Sequence, residues 1–139
     1  MKIICIGRNY TKHAEELNNL IPEEPVVFLK PETALLLKKH PFFIPEHSNE
    51  VHHELELVIK INRLGKHIEP IFAHKYYSEV GLGIDFTARD VQTKSKERGL
   101  PWEKAKAFDG SAAVSKFFSL ESLDKDIQDI NFHLNIKPL

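Results

Sequence analysis

The sequence predicts a mainly β domain with short helices, an α+β arrangement within one unit spanning residues 1–139. Three observations carry that prediction. The apolar stretches are short and rich in β-branched residues, strand-like segments outnumber helical ones, and the two kinds do not alternate regularly as a parallel α/β sheet requires. A chain of 139 residues, 42% of them hydrophobic, is one domain's worth and can bury a single core of modest size.

Ile3 to Ile6 is β-branched and reads as a first short strand. Tyr10 to Leu20 has helical character, with Thr11 as N-cap and Glu15 and Glu16 near the first turn. Prolines 22, 25, 31, 41 and 45 then punctuate the chain, leaving brief strands at Val26–Leu29, Leu35–Leu37 and Phe42–Ile44. Val51 to Ile61 is the clearest strand. Its odd positions, from Val51 and Leu55 to Ile61, are mostly apolar, whereas His52, Glu54, Glu56 and Lys60 fall on the other face. Pro70 to Glu79 reads as a helix and Val80 to Thr87 as a second long strand carrying Gly81 and Gly83. Arg89 to Arg98 reads as a helix stopped by Gly99-Leu100-Pro101, and Ala112–Phe118 and Ile130–Ile136 are the last strand candidates.

Composition narrows the function. With 19 basic and 20 acidic residues the net charge is about −1, so no basic excess exists to attract a nucleic-acid backbone or an anionic membrane. The apolar opening ends at Gly7-Arg8-Asn9, too soon for a signal-peptide core or a membrane span. Cys5 is the single cysteine, which excludes an intramolecular disulfide and reads as a buried thiol in a reducing compartment. The expectation is a soluble, cytoplasmic protein. Eight histidines are many for this length and suggest metal or proton-transfer chemistry.

Three groups of residues could carry that chemistry. Glu54 and Glu56 lie two apart on one strand face, so both carboxylates can converge on one cation, although a wet strand face has the same pattern. Asp85 sits in the apolar, glycine-bearing run from Val80 to Phe86, where an ionised carboxylate needs a nearby Arg, Lys or metal ion. These three carboxylates make an all-oxygen donor set, which suits Mg²⁺, Mn²⁺ or Ca²⁺ better than zinc or copper. His13 and Glu16 are three apart and share a helix face; a carboxylate beside an imidazole is what a water-activating base needs. Arg89 and Gln92 share a face of the helix after the Asp85 strand and could bind a carboxylate and a carbonyl, while Lys106 could neutralise an oxyanion.

Taken together these pieces resemble the fumarylacetoacetate hydrolase family, particularly its short members that act on acylpyruvates and oxaloacetate. The markers are Ile6-Gly7-Arg8-Asn9-Tyr10 with His13-x-x-Glu16, Phe28-Leu29-Lys30-Pro31, Val51 to Leu57, Gly83 to Gln92, Gly99 to Trp102 and Ala105 to Gly110. The resemblance implies a β-rich fold with a barrel-like core, a homodimer, and Mg²⁺ or Mn²⁺ held by Glu54, Glu56 and Asp85, with Ca²⁺ as a stand-in in a crystal. It also implies that His13 and Glu16 are a lid dyad that activates water. Lys106 then lies near a developing enolate, and Arg89 and Gln92 bind substrate. The implied reaction is cleavage of a C–C bond in a small 2-oxo acid, by acylpyruvate hydrolysis or oxaloacetate decarboxylation, through a metal-stabilised enolate.

The family's chain normally continues past the Ile130–Ile136 strand with Gly-Asp and Gly-Thr-Pro segments, whereas this sequence ends at Lys137-Pro138-Leu139. The expectation is therefore a shortened domain with its metal ligands present and its substrate pocket incomplete. Two alternatives stand beside cleavage: an isomerase or tautomerase of a hydroxy-dienedioate or oxaloacetate, and a non-catalytic dimerising remnant.

Overall fold

A computed structural model of the chain describes residues 1–10, 23–124 and 126–136. The first strand, β1 (Ile3–Gly7), pairs antiparallel with β2 (Val26–Lys30), with Cys5 opposite Phe28. Burial alternates along both strands. Val26, Phe28 and Lys30 turn inward, while Ile4, Ile6, Val27 and Leu29 form an exposed apolar outer face.

A second sheet is built on the antiparallel pair β3 (Val51–Ile61) and β4 (Tyr77–Ala88). Its register sets Glu54 directly opposite Asp85 and Glu56 opposite Gly83. β5 (Ala112–Val114) and β6 (Phe118–Ser119) both pair with β4, so β4 is the strand on which the sheet is organised. Helix α1 (Arg89–Glu97) leaves the end of β4 at once, and its first amide donates to Glu50 O at 2.8 Å. The one-turn helix α2 (Glu103–Lys106) follows the stop at Gly99, whose φ of +63° suits a residue without Cβ.

The mainly β, α+β expectation therefore holds, with sheet predominating over a few short helices. Among the described residues the sheets do not close into a barrel. Several expected elements take another form. Leu35–Leu37 contributes only an isolated bridge from Leu35 to Ala112, and Phe42–Ile44 forms no strand; Phe42 instead stacks on Phe86, with ring centroids 3.8 Å apart. Pro70–Tyr76 is a 3₁₀ helix, and Tyr77–Glu79 joins β4. Ala112–Phe118 divides into β5 and the start of β6, and Ile130–Ile136 is not a strand. The Tyr10–Leu20 helix falls, after Tyr10, outside the described residues.

The buried centre is unusual in composition. Its apolar members are small or modest (Ala34, Val80, Ala88, Ala105 and Ala112), whereas Lys30, Asp85, Thr87, Gln92, Lys106 and Ser111 are equally buried. Buried charge of this kind has to be paired, which makes the centre of the fold the candidate site. No helix among the described residues is long and apolar enough to cross a membrane.

Candidate active site

The site forms where β2, β3 and β4 meet the two helices. Along β4 the most buried face carries Gly81, Gly83, Asp85 and Thr87, so the polar residues point inward and the larger Leu82, Ile84 and Phe86 are only half-buried. Glycine at 83 is required by the neighbouring strand: a Cβ there would lie 2.7 Å from the Val58 side chain. The close neighbour at Gly83 is thus a packing contact from β3.

Lys106 ends α2 and points its ammonium into the carboxylates. Nζ donates to Glu54 Oε2 at 2.7 Å, to Asp85 Oδ2 at 2.7 Å and to Thr87 Oγ1 at 2.6 Å. Those three bonds use all of its protons. The Phe28 ring lies beneath it, 5.3 Å from the ammonium, adding a cation–π contact. The side chains of Lys106 and Asp85 are 4% and 9% exposed, so this pairing is not a surface salt bridge.

Arg89 closes the other side of Glu54. Its Nη2 donates to Glu54 Oε1, its Nη1 donates to Gln92 Oε1 at 2.6 Å, and its Nε donates to His52 Nδ1 at 3.2 Å. Because His52 Nδ1 accepts, its proton sits on Nε2 and is donated to Glu50 Oε1 at 2.8 Å. Ser48 Oγ donates to Asp90 Oδ1 at 2.6 Å and so ties the turn before β3 to the start of α1.

The charges shift the acids in opposite directions. Burial pushes the Glu54 carboxyl up, but Lys106 and Arg89 outweigh it and hold Glu54 below its ordinary value. Among the described residues Glu56 forms no ion pair, although the Lys106 charge lowers it slightly. Burial, with the charges of Asp85 and Glu54, pushes it up to about 7, offset in part by a hydrogen bond with the Tyr10 hydroxyl. Burial and the Asp85 charge likewise push the Cys5 thiol up to about 11, although Cys5 is half-buried where the sequence suggested a buried thiol.

Of the described site residues expected from the sequence, Glu54, Asp85, Arg89, Gln92 and Lys106 are joined in one bonded cluster, and Glu56 lies two residues along β3 from Glu54, opposite Gly83. His13 and Glu16 lie outside the described residues. The sequence reading missed Lys30, Thr87, Ser111 and His52. Lys30 carried no alternation signal, because both faces of Val26–Leu29 are apolar and only the structure shows that Val26, Phe28 and Lys30 turn inward.

The donor types fit a hard divalent cation chemically, with three carboxylates, Glu54, Glu56 and Asp85, on neighbouring strand positions. Asp85 Oδ1 is buried and has no aligned hydrogen bond; Lys30 Nζ lies 2.9 Å from it as an ion pair off the hydrogen-bonding direction. In the arrangement described, ammonium groups stand among the acids, and no three His, Cys, Asp or Glu side chains among the described residues are gathered as a metal-holding group.

Comparison with known proteins places this geometry. The sequence model for the fumarylacetoacetate hydrolase C-terminal domain matches residues 2–137. The chain is 42% identical over 135 residues to the oxaloacetate tautomerase YcgM of Escherichia coli, covering 97% of this chain and 62% of that protein. It is 40% identical over 121 residues to the mitochondrial oxaloacetate tautomerase FAHD1 of Bos taurus, covering 87% and 55%. Among solved structures, a fumarylpyruvate hydrolase from Pseudomonas aeruginosa in complex with Mn²⁺ and pyruvate superposes with a TM-score of 0.79 at 32% identity, over 89% of this chain and 55% of that one. The chain thus spans less than two thirds of the length of these relatives. It belongs to the fumarylacetoacetate hydrolase family.

Proposed function

We propose that this chain carries the site of an enzyme that stabilises the enolate of a small 2-oxo acid, with keto–enol tautomerisation of oxaloacetate as the first reaction to test. One observation carries the proposal: the buried Lys106 ammonium beside paired acidic groups, a fixed cation in a dry place where oxyanion charge can be neutralised. The names of the E. coli and bovine relatives support tautomerisation. Oxaloacetate decarboxylation and acylpyruvate hydrolysis remain the second reading, supported by a Dictyostelium discoideum relative named oxaloacetate decarboxylase and by the Pseudomonas hydrolase.

Glu54, Glu56 and Asp85 would hold Mg²⁺ or Mn²⁺, and the cation when bound would draw electron density from the substrate's carboxylate and 2-oxo oxygens. Mn²⁺ is present in the Pseudomonas relative, which supports that part of the reading. Lys106 places positive charge beside the oxygen that gains charge on enolisation. Arg89 offers a planar fork to a carboxylate, and Gln92 keeps its amide protons, since its carbonyl oxygen accepts from Arg89. His13 and Glu16 enter only if water must be activated, so they matter for hydrolysis and not for tautomerisation. A homodimer is a further part of the proposal, supported by the exposed Ile4, Ile6, Val27 and Leu29 on the outer face of β1 and β2. The single cysteine supports a reducing compartment such as the cytoplasm, although the bovine relative is mitochondrial by name.

The test follows enol loss, pyruvate formation and acylpyruvate consumption with added Mg²⁺ or Mn²⁺, comparing the wild-type chain with Glu56→Ala and His13→Ala. Metal-dependent enol loss that Glu56→Ala abolishes and His13→Ala spares is the expected result. Turnover independent of metal and unaffected by Glu56→Ala would overturn the proposal.

A further inference from the structure

The geometry points to Lys30 as a positioning residue that fixes both Asp85 and the backbone carrying Lys106. The role rests on the proposed function only in taking Asp85 and Lys106 as the working pair. Lys30 is the last residue of β2, its side chain is 1% exposed, and it touches four acceptors. Its ammonium donates to the carbonyl of Lys106, to Ser111 O at 3.1 Å and to Ser111 Oγ at 3.1 Å, and it lies 2.9 Å from Asp85 Oδ1. Ser111 Oγ in turn donates to Lys106 O at 2.9 Å.

The two ammonium groups divide Asp85 between them. Lys106 takes Oδ2 and Lys30 faces Oδ1, so the carboxylate cannot rotate without leaving one buried cation unpaired. Lys106 can reach Oδ2 only because its own carbonyl is held by Lys30 and Ser111, which sets where α2 ends. The donors of Lys30 go to two backbone carbonyls and the Ser111 hydroxyl, whereas those of Lys106 go to the Glu54 and Asp85 carboxylates and Thr87. Lys30 is therefore a support for the reacting groups and not a catalytic residue. Burial lowers the Lys30 pKa, and the Asp85 charge opposes that lowering.

Two variants of the full chain test this: Lys30→Met, which keeps length and loses charge, and Ser111→Ala, which keeps the charge and loosens its anchor. Nitrogen-15 NMR of lysine side chains reads proton exchange at the Lys106 ammonium, and oxaloacetate turnover at saturating Mg²⁺ separates kcat from KM. In folded Lys30→Met, Lys106 exchange should quicken by about tenfold or more, and kcat should fall by about tenfold or more with KM within about twofold. Ser111→Ala should move both the same way by about threefold. Unchanged Lys106 exchange in a folded variant overturns the assignment, and if Lys30→Met does not fold, Ser111→Ala decides it on that criterion. A wild-type chain that turns nothing over counts against the proposed function, and the exchange measurement then decides the role of Lys30 alone.

Discussion

Replacing Lys106 by Met tests whether the centre of the fold is held by charge. The substitution keeps the length of the side chain and leaves Glu54 Oε2 and Asp85 Oδ2 without the ammonium that bridges them at 2.7 Å. Breaking a buried pair costs about 3–5 kcal/mol, since the remaining charge stays desolvated. Arg89 still neutralises Glu54 and Lys30 still faces Asp85, so the expected loss lies near the lower end, about 3 kcal/mol. For a domain of this size that is a fall in Tm of about 10 °C. The assay is thermal unfolding followed by circular dichroism near neutral pH with a chelator present. Lys60 supplies the control: it meets Glu79 at 2.6 Å, but the two side chains are 49% and 34% exposed. Lys60→Met should therefore cost only about 0–1 kcal/mol. Equal shifts for the two variants would refute the reasoning, because burial and not distance is what separates the pairs.

Thr87→Val removes one acceptor from Lys106 at constant shape, at a fully buried position, and should cost about 1.5–3 kcal/mol in urea unfolding; a loss below about 0.5 kcal/mol would mean that the 2.6 Å contact is not a working hydrogen bond. The strand neighbours Glu54 and Glu56 should show opposite pH signatures in the chelated protein. Glu54 is held below its ordinary value, so its stabilisation is present above that value and is lost as pH falls through the lower folded-state value. Glu54→Gln should flatten this acid limb. Glu56 is raised from an ordinary 4.5 to about 7, so the folded state keeps a proton the unfolded chain has released, and stability falls as pH rises across that window. Glu56→Gln should then be more stable than the wild type near pH 8 by up to about 3 kcal/mol, and no different near pH 4. A constant difference at all pH values would remove the titration of Glu56 as the cause.

The strands were legible where alternation was long. Val51–Ile61 is β3 with the bounds that its period of two suggests, because eleven residues give the pattern room to declare itself. What alternation could not show was which face is buried. Ile59 and Ile61, on the apolar face, are exposed, while Glu54 and Glu56 on the polar face are half-buried against β4 and the helices. The short apolar runs near Leu35 and Phe42 carried no such signal. The first adds only the bridge at Leu35 to the sheet, and in the second Phe42 stacks on Phe86 while Phe43 and Ile44 stay exposed. The acids of the site were legible because a carboxylate in an apolar run, such as Asp85, needs an explanation on physical grounds alone. Lys30 and Ser111 were not singled out, since a lysine at a strand end and a serine in a loop are ordinary surface residues until the fold closes over them.

The central claim is that these acids form one site for a divalent cation serving a 2-oxo acid. Titration of the chelator-treated chain with Mn²⁺, following the free ion by electron paramagnetic resonance, tests it most directly. Saturable binding of about one ion per chain is expected, weakened by about tenfold or more in both Glu56→Gln and Asp85→Asn. Absence of saturable binding, or an affinity that neither substitution changes, would contradict it.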